Sequence, residues 1–505
     1  MCDSPQRVRY GDGLRGSHAC RAPDVEAGGK DAMSESEDWE KAKEALETKI
    51  AQQVEFIVKE FARGGGDDDD SDAGIEIGVE ASGRGVAYMY AKGQILVREG
   101  YLRRVQEILD GDEISDEHRP TDQELRDWPK DRRKPVEPLI SGAVVLHFRR
   151  KDDGTWPSVP KALAKIDRVL GPEKATPNHV ITVAGNVGPC PATEPQEVYD
   201  GVEPYPTVCP GDAGTGISIY VADTGLIKYQ PDHVLPKNPA AGRPLEIVTN
   251  VGTPNAWLKG VRGQRDPRQP SPPGQIRPYE GHGTFVAGVM RCVAPGADIY
   301  VENAFKVAGS TLETNLVRRL DAALSDGYDL FHLSITAPTR NDLPLMTFEG
   351  WLRRLHQYKG VACVVAAGNS GSALPTWPAA FPGTVSVGAL AADWRTRAFF
   401  SNYGPWVDVY APGRDLINAF PIGKYTCYTD PYGSLDANGN PAGEERTFYG
   451  MAKWSGTSFS TPIVTGLIAA RMSRTGENGK EAAAALLAEA QAQLIPGVGA
   501  ILLPY

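Results

Sequence analysis

The sequence predicts an α/β fold, in which a parallel sheet flanked by helices occupies residues 214–505. A small α+β N-terminal domain and a disordered N-terminal tail precede it. Three observations support this prediction. Short apolar runs bounded by turns alternate with helical stretches in the C-terminal half, as expected for parallel strands buried on both faces. Residues 83–185 also alternate between strand-like and helix-like patterns. Segments rich in Gly, Pro and acidic residues separate the units.

Length and composition limit the classes of protein to consider. A chain of 505 residues is too long for a single core, and 41% hydrophobic with 23% charged residues is ordinary for a soluble globular protein. The net charge of −11 argues against a nucleic-acid partner. No apolar run approaches the roughly 18 residues that a membrane span needs, and no secretory signal is visible. We therefore expect a cytoplasmic protein without a membrane partner.

The first 82 residues are predicted to contain little globular structure. Residues 1–33 are polar and Gly-rich, which indicates a disordered tail, or a chain that begins at Met33. Within residues 34–82, the segment 34–61 has apolar positions at helical spacing, and an acidic linker, GGGDDDDSDAG, follows it. The aspartate run lacks the alternating ligands and distal Glu of a calcium loop, so we expect no metal there.

Residues 83–185 are predicted to form the small α+β domain. Strands are expected at 94–97, 141–148 and 179–185, and helices at 98–111 and 159–171. This order suits either a prodomain-like unit or a module that recruits a partner or substrate.

A linker rich in Pro and Gly is predicted over residues 186–213, exposed and thus open to processing. Cys190 and Cys209 flank its centre and could pair in an oxidising compartment. The odd total of seven cysteines and the missing signal favour reduced thiols.

Six apolar runs supply the strands of the C-terminal domain. They are ISIYVAD (217–223), ADIYVENAF (297–305), DLFHLSI (329–335), VACVVAAGN (361–369), TVSVGAL (384–390) and VDVYAPG (407–413).

Three short segments place chemically useful side chains at strand ends and helix starts. Asp223 ends the run ISIYVAD, His282 lies between two glycines in GHGTFVAGVM, and Ser458 follows Gly-Thr before a long helix of small residues. A serine needs a base to become nucleophilic, an imidazole exchanges protons near neutral pH, and a carboxylate can orient it. Taken singly, these residues could equally be a turn Asp, a core His and a helix N-cap.

The order Asp, His, Ser with these tripeptides resembles the subtilisin-like serine proteases (subtilases) from about residue 214 to 505. The resemblance implies a serine endopeptidase that forms an acyl-enzyme on Ser458, with His282 as the base and Asp223 orienting it. It also implies that Asn369, in the turn after VACVVAAGN, donates to the oxyanion. YAPG at 410–413 matches a subtilase turn. No cofactor is expected.

A protein or peptide substrate would bind as an added strand, because extended backbones pair with sheet edges. Candidate edges are Ser334-Ile335-Thr336 and the stretch that includes Ala367 and Gly368. Many subtilases have Ser-Leu-Gly at the first edge, so the pocket preferences of relatives do not transfer. His332, in the same run, is expected to be packed rather than reactive.

Two alternatives to an active endopeptidase remain open from the sequence. One is a catalytically silent scaffold that binds peptides on a subtilase fold. The other is a protease that its N-terminal domain holds inactive. The intact set of four polar residues argues against the scaffold.

Overall fold

The computed structural model describes residues 54–62, 74–82, 85–109, 138–139, 142–183, 192–199, 202–227, 256–266, 274–427 and 443–504. The predicted tail, most of the acidic linker and Cys190 lie outside these residues, as does most of the helix predicted from residue 34. Residues 54–62 of that helix are helical.

The described part of the N-terminal domain contains both strands and helices, after the helical residues 54–62. The strands are β1 (Ile77–Ser82), β2 (Gly85–Arg98), β3 (Pro138–Leu139), β4 (Ala143–His147) and β5 (Ala175–Val183), and the helices are α1 (Leu102–Ile108) and α2 (Val159–Leu170).

The α+β character predicted for this domain is confirmed, with two differences. β1 lies in the stretch predicted to be a helix and linker. It pairs antiparallel with β2, and Ile77 packs in one cluster with Met89 and Ala91 of that strand. The helix predicted over 98–111 is shorter, because Glu99–Tyr101 forms a 3₁₀ turn before α1.

The C-terminal domain follows the predicted alternation of strands and helices. Its strands are β6 (Ser218–Asp223), β7 (Arg262–Gly263), β8 (Gln275–Ile276), β9 (Asp298–Asn303), β10 (Ser310–Leu312), β11 (Leu330–Leu333), β12 (Ile335–Thr336), β13 (Ala362–Ala366), β14 (Val385–Leu390), β15 (Val409–Pro412), β16 (Leu416–Thr426) and β17 (Glu445–Trp454). Its helices are α3 (His282–Val293), α4 (Glu313–Asp326), α5 (Met346–Leu355), α6 (Thr457–Thr475) and α7 (Gly479–Gln491).

A parallel sheet in the order β15-β14-β13-β11-β6-β9-β7 forms the centre of this domain. All six predicted runs contribute to it, so the predicted α/β class is confirmed. Successive side chains point to opposite faces: Ile219 and Val221 pack with α3 and α6, while Tyr220 and Ala222 pack with α4 and α5. A buried sheet of this kind brings the carboxyl ends of its central strands to one edge.

The predicted linker is not a free connection over its described residues. It runs along the hairpin β16–β17, with bridges from Gln196 to Lys453 and from Tyr205 to Ile417. The indole N–H of Trp454 donates to the carbonyl of Thr193 at 2.7 Å. The hairpin edge offers unpaired backbone groups, and the linker satisfies them.

The N-terminal and C-terminal domains share a second sheet. β5 pairs with β2 inside its own domain and with β10 and β12 of the C-terminal domain. It therefore lies between two strands that belong to the other domain.

Candidate active site

The carboxylate and the imidazole predicted from the sequence form a buried pair. Asp223 is the last residue of β6, at the carboxyl end of the central strand, and His282 is the first residue of α3. Their Oδ1 and Nδ1 atoms lie 2.7 Å apart, and both side chains are fully buried. The backbone N–H of Thr224 donates to the same carboxylate oxygen at 2.7 Å. A carboxylate at Nδ1 fixes the ring with Nε2 as its proton acceptor.

Two glycines allow the helix that carries His282 to approach β6 this closely. Gly281 has φ of +87°, which favours glycine. A Cβ atom on Gly283 would stand 2.4 Å from the carbonyl oxygen of Gly225 and 3.1 Å from Oδ1 of Asp223. Position 281 therefore requires glycine because of its backbone conformation. Position 283 requires glycine because a Cβ atom there would lie too close to its neighbours.

A second carboxyl group, which lies in no recognisable sequence motif, supports this pair. Asp266 is buried, and its Oδ2 accepts from the hydroxyl of Thr224 at 2.6 Å and from the N–H of Gly281 at 2.9 Å. The Thr224 oxygen in turn accepts from the N–H of Gly283 at 3.1 Å. Burial, followed by the charge of Glu280, raises the pKa of Asp266 well above its usual range. Asp266 thus ties the Asp223 turn to the start of α3.

The predicted nucleophile lies in the first turn of the second helix on this side of the sheet. Ser458 is fully buried in the first turn of α6, beside Phe459, whose ring lies 5.5 Å from the His282 ring. Trp454 contacts the same imidazole edge-on at 5.9 Å. Within the described residues, Oγ of Ser458 and Nε2 of His282 are both buried without a hydrogen-bond partner. A buried polar atom in that state has lost its hydrogen bonds to water, and it can still form one with a ligand.

Asn369 is buried against the helix that carries Ser458. Its Oδ1 accepts from the N–H of Thr457 at 2.8 Å and from the Thr457 hydroxyl at 3.0 Å. These contacts fix which end of the amide is the acceptor, so that Nδ2 is presented as the donor. The turn predicted after β13 therefore places a donor group beside the start of α6.

The first predicted substrate edge pairs with a strand of the N-terminal domain. Ile335 and Thr336 form β12, where Ile335 pairs with Val183 and Thr336 with Thr182 of β5. Ser334, just before them, is fully buried.

The second stretch is not an open edge. The N–H of Ala367 donates to Val387, and that of Gly368 donates to the Thr457 hydroxyl at 3.1 Å. The stretch is therefore not an added-strand edge, because β13 pairs with β11 and β14, while a contact of Ala367 and Gly368 with substrate stays a prediction.

Within the described ranges, no group of three or more His, Cys, Asp or Glu side chains could hold a metal ion. No helix in that part of the chain is both long and apolar enough to cross a bilayer.

Comparison with known proteins agrees with this geometry. Residues 214–498 match the Subtilase family. The chain belongs to the subtilase family. It is 29% identical to M-protease from Shouchella clausii (strain KSM-K16) over 268 residues, which are 51% of this chain and 54% of that protein. It is also 29% identical to subtilisin Savinase from Lederbergia lenta, over 51% of this chain and 77% of that one.

Solved structures resemble the chain more distantly. Fervidolysin from Fervidobacterium pennivorans is 17% identical, with a TM-score of 0.46 over 82% of this chain and 60% of that one. A cold adapted subtilisin-like serine proteinase is 19% identical, with a TM-score of 0.39 over 58% of this chain and 91% of that one. This subtilase chain spans about half the length of M-protease.

Proposed function

We propose that this subtilase is a serine endopeptidase that cleaves peptide bonds through an acyl-enzyme on Ser458. The observation that carries the proposal is the buried pair of Asp223 and His282 at 2.7 Å. Beside it, Nε2 of the same ring and the Ser458 hydroxyl both lack other partners within the described residues. Hydrogen bonds between a base and its nucleophile are often long without a ligand and shorten when substrate binds.

Each group has one task in the proposed reaction. His282 Nε2 takes the Ser458 proton as Oγ attacks the carbonyl carbon, and it then gives that proton to the leaving amine. Asp223 stabilises the imidazolium between these transfers. The positive end of α6 and the Asn369 amide face the oxyanion. Water then attacks the ester, with His282 again accepting the proton and returning it to Ser458.

A fluorophosphonate probe tests this proposal, because it reacts with an activated serine. Wild type should be labelled and Ser458→Ala should not. Ser460→Ala is the matched control: Ser460 lies two residues along α6, and its hydroxyl donates to the Thr457 carbonyl at 3.0 Å. That variant should be labelled like wild type. If neither folded wild type nor a variant with a weakened N-terminal docking contact is labelled, the peptide-binding scaffold becomes the better description.

A second candidate function, a protease held inactive by its N-terminal domain, is supported by the position of β5. This strand lies antiparallel against β12 and, on its other side, against β10, where Thr182 pairs with Ser310. A peptide substrate that extended the same edge would need this position. The full burial of Asp223, His282 and Ser458 is consistent with an occupied cleft.

Polar contacts between the domains strengthen this arrangement. Arg340 of the C-terminal domain pairs with Asp167 of α2 at 2.7 Å, and both side chains are largely buried. Nδ1 of His179 in β5 lies 3.2 Å from Glu313, with both side chains buried. A buried ion pair that loses one partner is destabilised by several kcal/mol. These contacts therefore favour the docked N-terminal domain.

Asp167→Ala tests the inhibition, because it changes only the N-terminal domain and leaves Arg340 without its carboxylate. If docking blocks the cleft, the labelling rate should rise about fivefold for each 1 kcal/mol of docking free energy lost. Glu107→Ala is the control, since Glu107 pairs with Arg103 and Arg104 on its own helix. Equal rates for wild type and both variants would remove the inhibitory role and leave the peptidase proposal intact.

A further inference from the structure

The first turn of α6 contains a carbonyl group that the helix itself cannot satisfy. In an α-helix, the carbonyl of residue i accepts from the N–H of residue i+4. The residue four positions after Ser458 is Pro462, which has no N–H. The carbonyl of Ser458 therefore has no donor within its own helix, although it lies in a buried part of the protein. A buried carbonyl in that position needs a donor from elsewhere.

Ser334 supplies this donor from the neighbouring sheet. Its hydroxyl donates to the Ser458 carbonyl oxygen at 2.9 Å, across 124 positions of sequence. Both residues are fully buried, so water does not compete for the bond. The contact holds the peptide plane that follows Ser458 in the first turn of α6.

His332 is hydrogen-bonded to the same hydroxyl. Its Nε2 lies 2.9 Å from Oγ of Ser334, and its Nδ1 lies 2.9 Å from Oγ1 of Thr465 in α6. A serine hydroxyl has one proton, and that proton goes to the Ser458 carbonyl. Nε2 must therefore be the donor to Ser334, which leaves Nδ1 of a neutral ring as an acceptor. The Thr465 hydroxyl lies 2.9 Å from Nδ1 and 3.0 Å from the Thr461 carbonyl oxygen, so its single proton is shared between these two acceptors.

We infer that His332 is a positioning residue for the nucleophile: it orients the Ser334 hydroxyl, which replaces the helix hydrogen bond that Pro462 withholds from Ser458. This inference rests on the proposed function, because it concerns the same serine. The sequence indicated only a packed histidine at this position. The structure confirms the burial and adds two hydroxyl partners, one of which leads to the reacting residue.

The charge state of His332 is consistent with this role. Burial, followed by the nearby His282, lowers the pKa of His332 to about 3. The ring of His332 is therefore neutral near neutral pH. A neutral ring with its proton on Nε2 keeps the direction of the hydrogen bonds fixed from His332 through Ser334 to Ser458. It also adds no positive charge that would oppose protonation of His282.

Three substitutions at position 332 separate the two ring nitrogens. The Gln amide reaches about where Nε2 lies, so His332→Gln keeps a donor for Ser334. The shorter Asn amide reaches about where Nδ1 lies, so His332→Asn keeps only the contact with Thr465. His332→Leu removes both. Cys363→Ala is the control for a small packing defect, since Cys363 is buried on the adjacent strand β13.

The maximal rate of fluorophosphonate labelling and the probe concentration at half-maximal rate are measured on the full chain. A misplaced nucleophile should lower the maximal rate roughly 10- to 100-fold for the Leu and Asn variants, with the half-maximal concentration unchanged. The Gln variant and Cys363→Ala should stay near wild type. Ser334→Ala should match His332→Leu, and the double variant should be no slower than either.

Other patterns would overturn the inference. If wild type reacts and the Gln, Asn and Leu variants slow only in proportion to their loss of melting temperature, His332 is merely structural. If the Leu variant reacts at the wild-type rate, His332 has no positioning role. In both cases the reaction of wild type still supports the peptidase, whereas a failure of both wild type and Asp167→Ala to react would refute the peptidase itself.

A measurement on the resting protein tests the geometry without any reaction. In protein labelled with ¹⁵N-histidine, the resonances that vanish in His332→Gln belong to His332. They should show a neutral ring protonated on Nε2 from pH 5 to 8. A proton on Nδ1, or titration within that range, would reverse the direction of the bonds and overturn the inference.

Discussion

Replacing Gly283 by Ala tests how strictly the helix start determines the Asp223–His282 pair. The added Cβ would lie 2.4 Å from the carbonyl oxygen of Gly225 and 3.1 Å from Oδ1 of Asp223. Ordinary contact distances begin at 3.4 Å, so the turn and the helix must separate by about 1 Å. Neither group is the flexible end of a long side chain, because one is backbone and the other is the buried carboxylate itself.

The expected effect follows from that displacement. Overpacking a buried site lowers stability by about 1–3 kcal/mol, which in a domain of this size lowers the melting temperature by a few degrees. The functional loss should be larger, because a displacement of 1 Å in a catalytic group can lower the rate about 100-fold. Since His282 directly precedes Gly283, the change acts on the imidazole first.

The assay is the rate of fluorophosphonate labelling, together with the melting temperature of each variant. Gly100→Ala is the matched control, because a Cβ there would have no heavy atom within 4 Å. It should leave both quantities unchanged. The reasoning is wrong if Gly283→Ala folds and is labelled within twofold of wild type, since the pair would then tolerate the separation.

Two further predictions concern buried polar groups of the site. Asn369→Ala should lower the labelling rate about 10²–10³-fold, as for the loss of one oxyanion donor. Asn369→Asp should lose as much, although it keeps an acceptor for Thr457; retention of activity by Asp would mean that the residue only caps α6. Because the pKa of Asp266 is raised, the native state holds that proton more tightly than the unfolded chain. The Asp266 contribution to the free energy of unfolding should therefore be complete below about pH 4 and fall with rising pH, by at most about 1.4 kcal/mol per pH unit. Asp266→Asn should remove that slope in urea titrations between pH 4 and 8, and an unchanged slope would refute the assignment.

The parts of this molecule that could be predicted from sequence are those with a local signature. Strands buried on both faces are continuous apolar runs, and each of the six runs became a strand of the central sheet. The positions of Asp223 and His282 follow from strand-end and Gly-flanked patterns, because close backbone approach demands glycine at fixed spacing. Ser458 could be selected in the same way, from Gly-Thr before a helix.

The parts that escaped prediction depend on contacts between remote segments. Asp266 stands in a loop without a motif, and only its burial beside Thr224 shows its role. The placement of β5 against β12 depends on how two domains dock, which no local pattern encodes. Ala367 looked like an edge because an apolar run does not reveal its neighbours in the sheet. The register of a strand is set by packing and by its connections, and these are not read from one segment.

A common physical cause connects several of the contacts that support the site. Starting α3 and α6 beside one strand end leaves backbone groups that neither helix can pair: the N–H of Gly281, the N–H of Thr457 and the carbonyl of Ser458. Distant side chains satisfy all three, namely Asp266, Asn369 and Ser334. A buried backbone group without a partner lowers stability by about 1–3 kcal/mol, so each of these partners stabilises the fold whatever its effect on chemistry. A loss of stability on substitution is therefore expected whether or not the residue takes part in catalysis. The informative variants keep the hydrogen bond to the backbone group and change only the other polar atom of the side chain.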